Sequence, residues 1–92
     1  MIESLAHKGL KRFYENGDGR RLPADMLERI GIILAALDEA QQIADLDRPS
    51  FNLHKLKGDL KGFWAVTVRA NRRIIFRFKD GKASNVDFVD YH

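Results

Sequence analysis

The amino-acid sequence predicts an α+β fold: a short N-terminal strand, a two-helix hairpin, then a four-stranded antiparallel sheet. Three observations support this. Apolar residues recur at helical spacing before residue 45 and at strand spacing after residue 51. The strand-like runs are separated by "GDLKG", "AN" and "DG", all turn material. The 92 residues include no cysteine, so the fold has to rest on a packed core rather than on disulfides.

Residues 2–5 are expected to form the short strand. In "HKGLKRFYENG", Leu10, Phe13 and Tyr14 fall on one helical face, and Gly17 can stop that helix. "GDGRRLP" is a polar connection. Pro23 suits the first turn of a second helix, with Asp25 and Glu28 near its positive end. That helix is expected to run to about residue 42. Met26, Ile30, Ile33, Leu34, Leu37 and Gln41 trace one mostly apolar face, which core packing explains fully. Pro49 in "DLDRPS" bars its continuation. The strand candidates are "FNLHKLK", "FWAVTVR", "RRIIFRFK" and "KASNVDFVDY". Connections this short favour an antiparallel meander with both helices on one face. Residues 1–92 are expected to be a single domain.

Composition narrows the function classes. A hydrophobic fraction of 45% is that of a globular chain. No thiolate is available as nucleophile or metal ligand. "MIESLAHKGL" lacks the apolar core of a signal peptide, and nowhere are there the ~20 apolar residues of a membrane span. A soluble cytoplasmic protein with no membrane contact is expected. The net charge of +3 is uneven: residues 1–50 hold 7 Lys/Arg against 9 Asp/Glu, net −2, and residues 51–92 hold 9 against 4, net +5. The basic half also carries Phe51, Phe63, Trp64, Phe76, Phe78, Phe88 and Tyr91. Basic residues among aromatics suit a nucleic-acid surface, and equally a solvated face around a strand core.

The topology gathers distant residues at one sheet edge. The first strand begins near Asn52–His54, the second ends near Val68–Arg69, the third begins near Arg72–Arg73 and the fourth ends at Asp90–His92. A two-residue Asp80–Gly81 turn would pair Lys79 with Lys82. Counting back from that turn places Arg73 opposite Phe88 and Arg69 opposite His92, with Arg73 diagonal to Asp90. This pairing depends on an unbroken register. Lys57 has the wrong parity relative to His54, so a bulge or the Gly58 turn has to re-aim it.

Three readings of that edge remain open. His54, Asp90 and His92 could hold a metal, although nothing else has metal-site spacing. His92 and Asp90 could be an ordinary terminal residue and an edge charge. The third reading is metal-free cleavage of RNA, which carries its own nucleophile, the 2′-OH. That chemistry needs a base, an acid and a cation at the phosphate. Histidine serves either proton role, Arg73 matches phosphate geometry, and Tyr91 or Trp64 can stack on an unpaired base.

The stretch "LHKLKGDLKGFWAVTVRANRRIIFRFKDG", together with the terminal "VDFVDYH", resembles the HigB branch of the RelE/ParE toxin superfamily over the whole chain. The resemblance implies a RelE-like fold and an mRNA endonuclease that cuts codons at the A site of the 30S subunit, against rRNA. It also implies inhibition by a HigA-like helix-turn-helix antitoxin, with operator DNA bound only through the antitoxin complex; no cofactor is expected, and no metal, since metal-ligand spacing is lacking. Carried over by position, His92 and Asp90 would serve proton transfer, and Arg73 and Lys57 the phosphate. His54 and Tyr91 would position the substrate or share the proton work, the order of acid and base staying open. Lys55, Lys61, Arg69 and Arg77 are candidates for RNA contact or for a solvated face. Arg72 stands where similar toxins often carry an aromatic, which bears on local packing and substrate contacts. His7 has no matching role and is expected at a helix terminus. The last strand is expected to deliver the catalytic edge, which would account for a sequence ending in "DYH". The alternatives are a ParE-like inhibitor of DNA gyrase and a non-catalytic RNA- or DNA-binding module.

Overall fold

The computed structural model describes residues 1–90. Helix α1 spans Lys8–Asn16. His7 is its N-cap: Nδ1 accepts a hydrogen bond from the Leu10 N–H at 3.1 Å, so the expected helix-terminus role holds. Gly17 closes the helix in the left-handed conformation, with its N–H donating to Phe13 O at 3.0 Å. A 3₁₀ turn at Ala24–Met26 leads into α2, Leu27–Glu39. Ile30, Ile33, Leu34 and Leu37 point from α2 into the core, as their spacing predicts.

Helix α2 ends three residues short of the expected limit, and Asp45 supplies the reason. Its carboxylate accepts the N–H groups of Gln41 at 2.9 Å and Gln42 at 3.1 Å. A side chain that takes these donors lets the backbone leave the helix. A 3₁₀ turn at Ile43–Leu46 follows and buries Leu46 completely.

The sheet is an antiparallel meander in the order β1-β2-β3-β4, with β1 at His54–Lys55, β2 at Trp64–Arg69, β3 at Arg72–Lys79 and β4 at Lys82–Asp90. β1 is far shorter than "FNLHKLK" suggested. Pro49 opens a 3₁₀ turn at Pro49–Phe51, and Asn52 then adopts a left-handed conformation, φ 49°. Phe51 therefore turns inward and is buried, with the guanidinium carbons of Arg29 and Arg48 at 5.2 and 5.0 Å from its ring centre.

The N-terminal strand does not form. Residues 2–5 make two isolated parallel bridges to β4 instead, Ile2 to Ala83 and Leu5 to Val86. A bulge in β4 accounts for the interruption. Asn85 has φ 53°, and its N–H turns to the Ser4 hydroxyl at 2.9 Å.

The core lies between the helices and one sheet face. Val66, Ile74, Phe76, Val86 and Phe88 meet Leu10, Ile30, Ile33 and Leu37 there. Among the described residues no helix is long and apolar enough to cross a membrane.

Candidate functional site

Paired residues share a sheet face, and residues two apart on a strand repeat it. His54 pairs with Ala65, Ala65 with Ile75 and Ile75 with Asp87, forming one row across the face turned away from the helices. The next row is Thr67, Arg73 and Val89. His54 and Arg73 thus lie on the same face in adjacent rows, two strands apart, roughly 12 Å between Cα atoms at ordinary sheet spacing.

The β3–β4 register differs from the sequence count by one residue. The Asp80–Gly81 turn does pair Lys79 with Lys82. Beyond Ile75 the β4 bulge inserts a residue, so Arg73 faces Val89 rather than Phe88, and Arg72 faces Asp90. Asp90 therefore leaves the Arg73 face. Its Oδ1 lies 3.4 Å from Arg72 Nε, and the Arg72 guanidinium covers Phe88 at 5.4 Å.

Arg69 ends β2 as expected, pairs with Arg72 past a bulge at Val68, and forms an ion pair with Asp25 beside the helices. Tyr91 and His92 lie outside the described residues, so their expected roles and the Arg69–His92 pairing have no counterpart in the geometry described.

The imidazole of His54 has a fixed partner. Nδ1 lies 2.9 Å from the carbonyl oxygen of Asn52, whose left-handed backbone aims it at the ring. A carbonyl only accepts, so Nδ1 carries the proton in this contact, and in the neutral ring the lone pair is on Nε2. That tautomer can take a proton from a hydroxyl. Arg73 is anchored at the β2–β3 turn, where Nη1 donates to Ala70 O at 3.3 Å and Arg69 O at 3.5 Å. Beside it, the buried Thr67 hydroxyl has no hydrogen-bond partner among the described residues.

Lys57 follows β1 in extended backbone and precedes a 3₁₀ turn, Gly58–Leu60. His54, Lys55, Leu56, Lys57 and Leu60 line one open cleft of about 340 Å³. Lys55 lies over Trp64 and Arg77 over Phe63, with cation-to-ring distances of 5.1 and 4.6 Å. Two residues escaped the sequence reading. Asp87 is the carboxylate on the His54 face, its Oδ1 held by the Phe88 N–H at 2.9 Å, and Thr67 adjoins Arg73. The bulge that puts Asp87 on that face has a faint signal, an asparagine inside a strand run.

Solved structures share this architecture. A YafQ mutant from E. coli superposes with a TM-score of 0.67 at 17% identity, covering 98% of this chain and 91% of that one. The heterotetrameric YoeB-YefM toxin-antitoxin complex from Staphylococcus aureus gives 0.64 at 18% identity, covering 100% of this chain and 95% of that one. The fold is therefore that of the RelE-like toxins. The family model for the RelE-like toxin of the type II toxin-antitoxin system HigB matches residues 3–92. The chain is 47% identical over 92 residues to "Endoribonuclease HigB" of Proteus vulgaris, with both chains covered completely. It is 37% identical over 94 residues to "Toxin HigB-1" of Vibrio cholerae serotype O1, covering 100% of this chain and 98% of that one. The chain belongs to the HigB-like family of type II toxin–antitoxin toxins.

Proposed function

We propose that the chain is a ribosome-dependent endoribonuclease that cuts mRNA at the A site without a metal ion, and is silenced by a HigA-like helix-turn-helix antitoxin. The observation that carries this reading is the placement, on the sheet face turned away from the helices, of an imidazole hydrogen-bonded at Nδ1 and an anchored guanidinium. The 47% identical relative named as an endoribonuclease supports the reaction class.

In this mechanism His54 Nε2 takes the proton of the 2′-OH as the 2′ oxygen attacks the adjacent phosphorus. Arg73 and Lys57 balance the charge on the non-bridging oxygens. The bond from phosphorus to the 5′ oxygen breaks, and that oxygen takes a proton from His92. Asp90, ion-paired with Arg72, is assigned the supporting role of tuning the His92 proton. Tyr91 positions the substrate. Operator DNA is engaged only through the antitoxin complex.

The test is mRNA cleavage in a reconstituted translation reaction, with the fragment ends identified. A 5′-hydroxyl and a 2′,3′-cyclic or 3′-phosphate are expected, and deletion of His92 should abolish cleavage in a folded protein. Fragments with 5′-phosphates would refute the mechanism. Tight RNA binding without any cleavage would identify a non-catalytic binding module instead.

A further inference from the structure

We propose that the cavity beside β1 is a subsite for one unpaired nucleobase of an RNA strand, with the attached phosphate held by lysines. This rests on the RNA reading above and adds a substrate contact to it.

The cavity is built by the segment between β1 and β2. Leu56 N–H donates to Phe63 O at 3.0 Å, Phe63 N–H to Leu60 O at 3.0 Å, and Lys61 N–H to Gly58 O at 3.1 Å. These bonds fold the loop back on itself around a cavity of about 480 Å³. Small-ligand sites usually span about 300–1,000 Å³, so a nucleotide fits. Leu56, Phe63 and Trp64 supply apolar surface, and Lys55, Lys57 and Lys61 supply charge. Among the described residues no carboxylate lines the cavity.

The aromatic walls already carry cations. The Lys55 ammonium lies over Trp64, and the Arg77 guanidinium lies over Phe63. Gly62 permits the second contact. It has φ 96°, and a Cβ there would come within 2.7 Å of Arg77 Nη1. Flat apolar walls ringed by cations match an occupant that is planar and anionic at once. A nucleotide has both properties, its base for the rings and its phosphate for the lysines. An acidic peptide matches the charge but leaves the aromatic surface unfilled. The cavity also shares Lys55, Leu56 and Lys57 with the cleft that contains His54. A base seated here therefore lies next to the phosphate proposed to react.

Trp64 is the only tryptophan of the chain, so its fluorescence reports on this cavity. The experiment titrates the full chain with a 2′-O-methyl trinucleotide, which cannot undergo 2′-OH attack. Saturable quenching is expected, with none from inorganic phosphate or a Glu-rich peptide at equal ionic strength. Phe63 lies outside the hydrophobic core, so Phe63→Leu should fold and bind about 5–100-fold more weakly, the worth of one stacked base. Lys61→Ala, at an exposed position, is the second variant and should weaken binding and lower its salt dependence. Absent quenching, equal quenching by the peptide, or unchanged affinity in both variants would overturn the subsite. Cleavage is scored separately: intact cleavage without quenching removes only the subsite, and quenching without cleavage removes only the nuclease reading.

Discussion

The cations on the two sides of the sheet are held in different ways. On the helix side, Arg29 Nη2 donates to the carbonyl oxygens of Ser50 and Thr67, the latter at 2.9 Å, tying α2 to the loop and to β2. Arg69 is committed to Asp25, and Arg72 to Asp90 and Phe88. Around β1 and its loop, Lys55, Lys57 and Lys61 have no carboxylate partner among the described residues, and Lys55 and Arg77 rest on aromatic rings. In sequence all of these but Arg29 read as one basic half. A cation engaged by a carbonyl or carboxylate works for the fold. One resting on a ring beside an open cleft keeps its charge for an anion.

The strongest way to break this contrast is at His54. His54→Ala should lower mRNA cleavage by about 10²–10⁴-fold, the usual worth of a proton-transfer group. Its melting temperature should stay close to the parent's, because among the described residues the imidazole's one hydrogen bond is the local one to Asn52. A cleavage assay and a thermal melt on one preparation decide it. Unchanged cleavage would remove His54 from the chemistry.

Arg29→Met should behave in the opposite way. Two carbonyls lose a charged donor, a loss of about 2 kcal/mol in stability at hydrogen bonds of this kind. Arg72→Gln should cost less than about 1 kcal/mol, since its ion pair with Asp90 is solvent-exposed. Urea unfolding of both variants provides the comparison, and equal losses would contradict the division of labour.

A finer test compares Lys61 with Arg69 in ribosome binding across a salt series. Lys61→Ala should reduce the logarithmic salt slope by about 1, as loss of one phosphate contact does. Arg69→Ala should change it little, because Asp25 already neutralises that guanidinium. Equal slopes for the two variants would erase the distinction.

The smallest effect concerns acid. The backbone N–H groups of Gln41 and Gln42 hold the Asp45 carboxyl below its ordinary pKa, and the Arg20 guanidinium depresses Asp18 in the same direction. A depressed folded-state pKa means the carboxylate form is favoured in the fold. The stabilisation is therefore complete above the unfolded pKa, near 4, and is lost as pH falls through the folded value. Asp45→Asn should make stability less sensitive to pH below about 4, read from melting temperatures across a pH series. An unaltered acid limb would show that the carboxylate does not hold the end of α2.

Much of the fold was legible because local physics set it. Ile30, Ile33, Leu34 and Leu37 could only serve a helix face, Gly17 could only end α1 cheaply, and Asp80–Gly81 specified a two-residue turn that pairs Lys79 with Lys82. The site was legible as a set of residues but not as an arrangement. His54 and Arg73 share a face, whereas Asp90 does not share it with Arg73. A strand repeats its faces every two residues, so the single residue inserted at Asn85 moved Asp90 to Arg72 and brought Asp87 to the face turned away from the helices.

The sequence by itself determined the order of helices and strands, the meander, the excess of positive charge after residue 51 and the likeness to HigB toxins. Each depends on neighbours a few residues apart, where spacing, turn chemistry and composition act directly. Tertiary structure alone decided three further things. Residues 2–5 dock on β4 through two bridges because the bulge breaks the ladder between them. Phe51 plugs the core because Pro49 and Asn52 turn it inward. Arg69 stands by Asp25 and Lys61 by an open cavity. A bulge, a buried ring and a choice of ion partner each depend on which surfaces meet across the core, and residues far apart in the chain supply those surfaces.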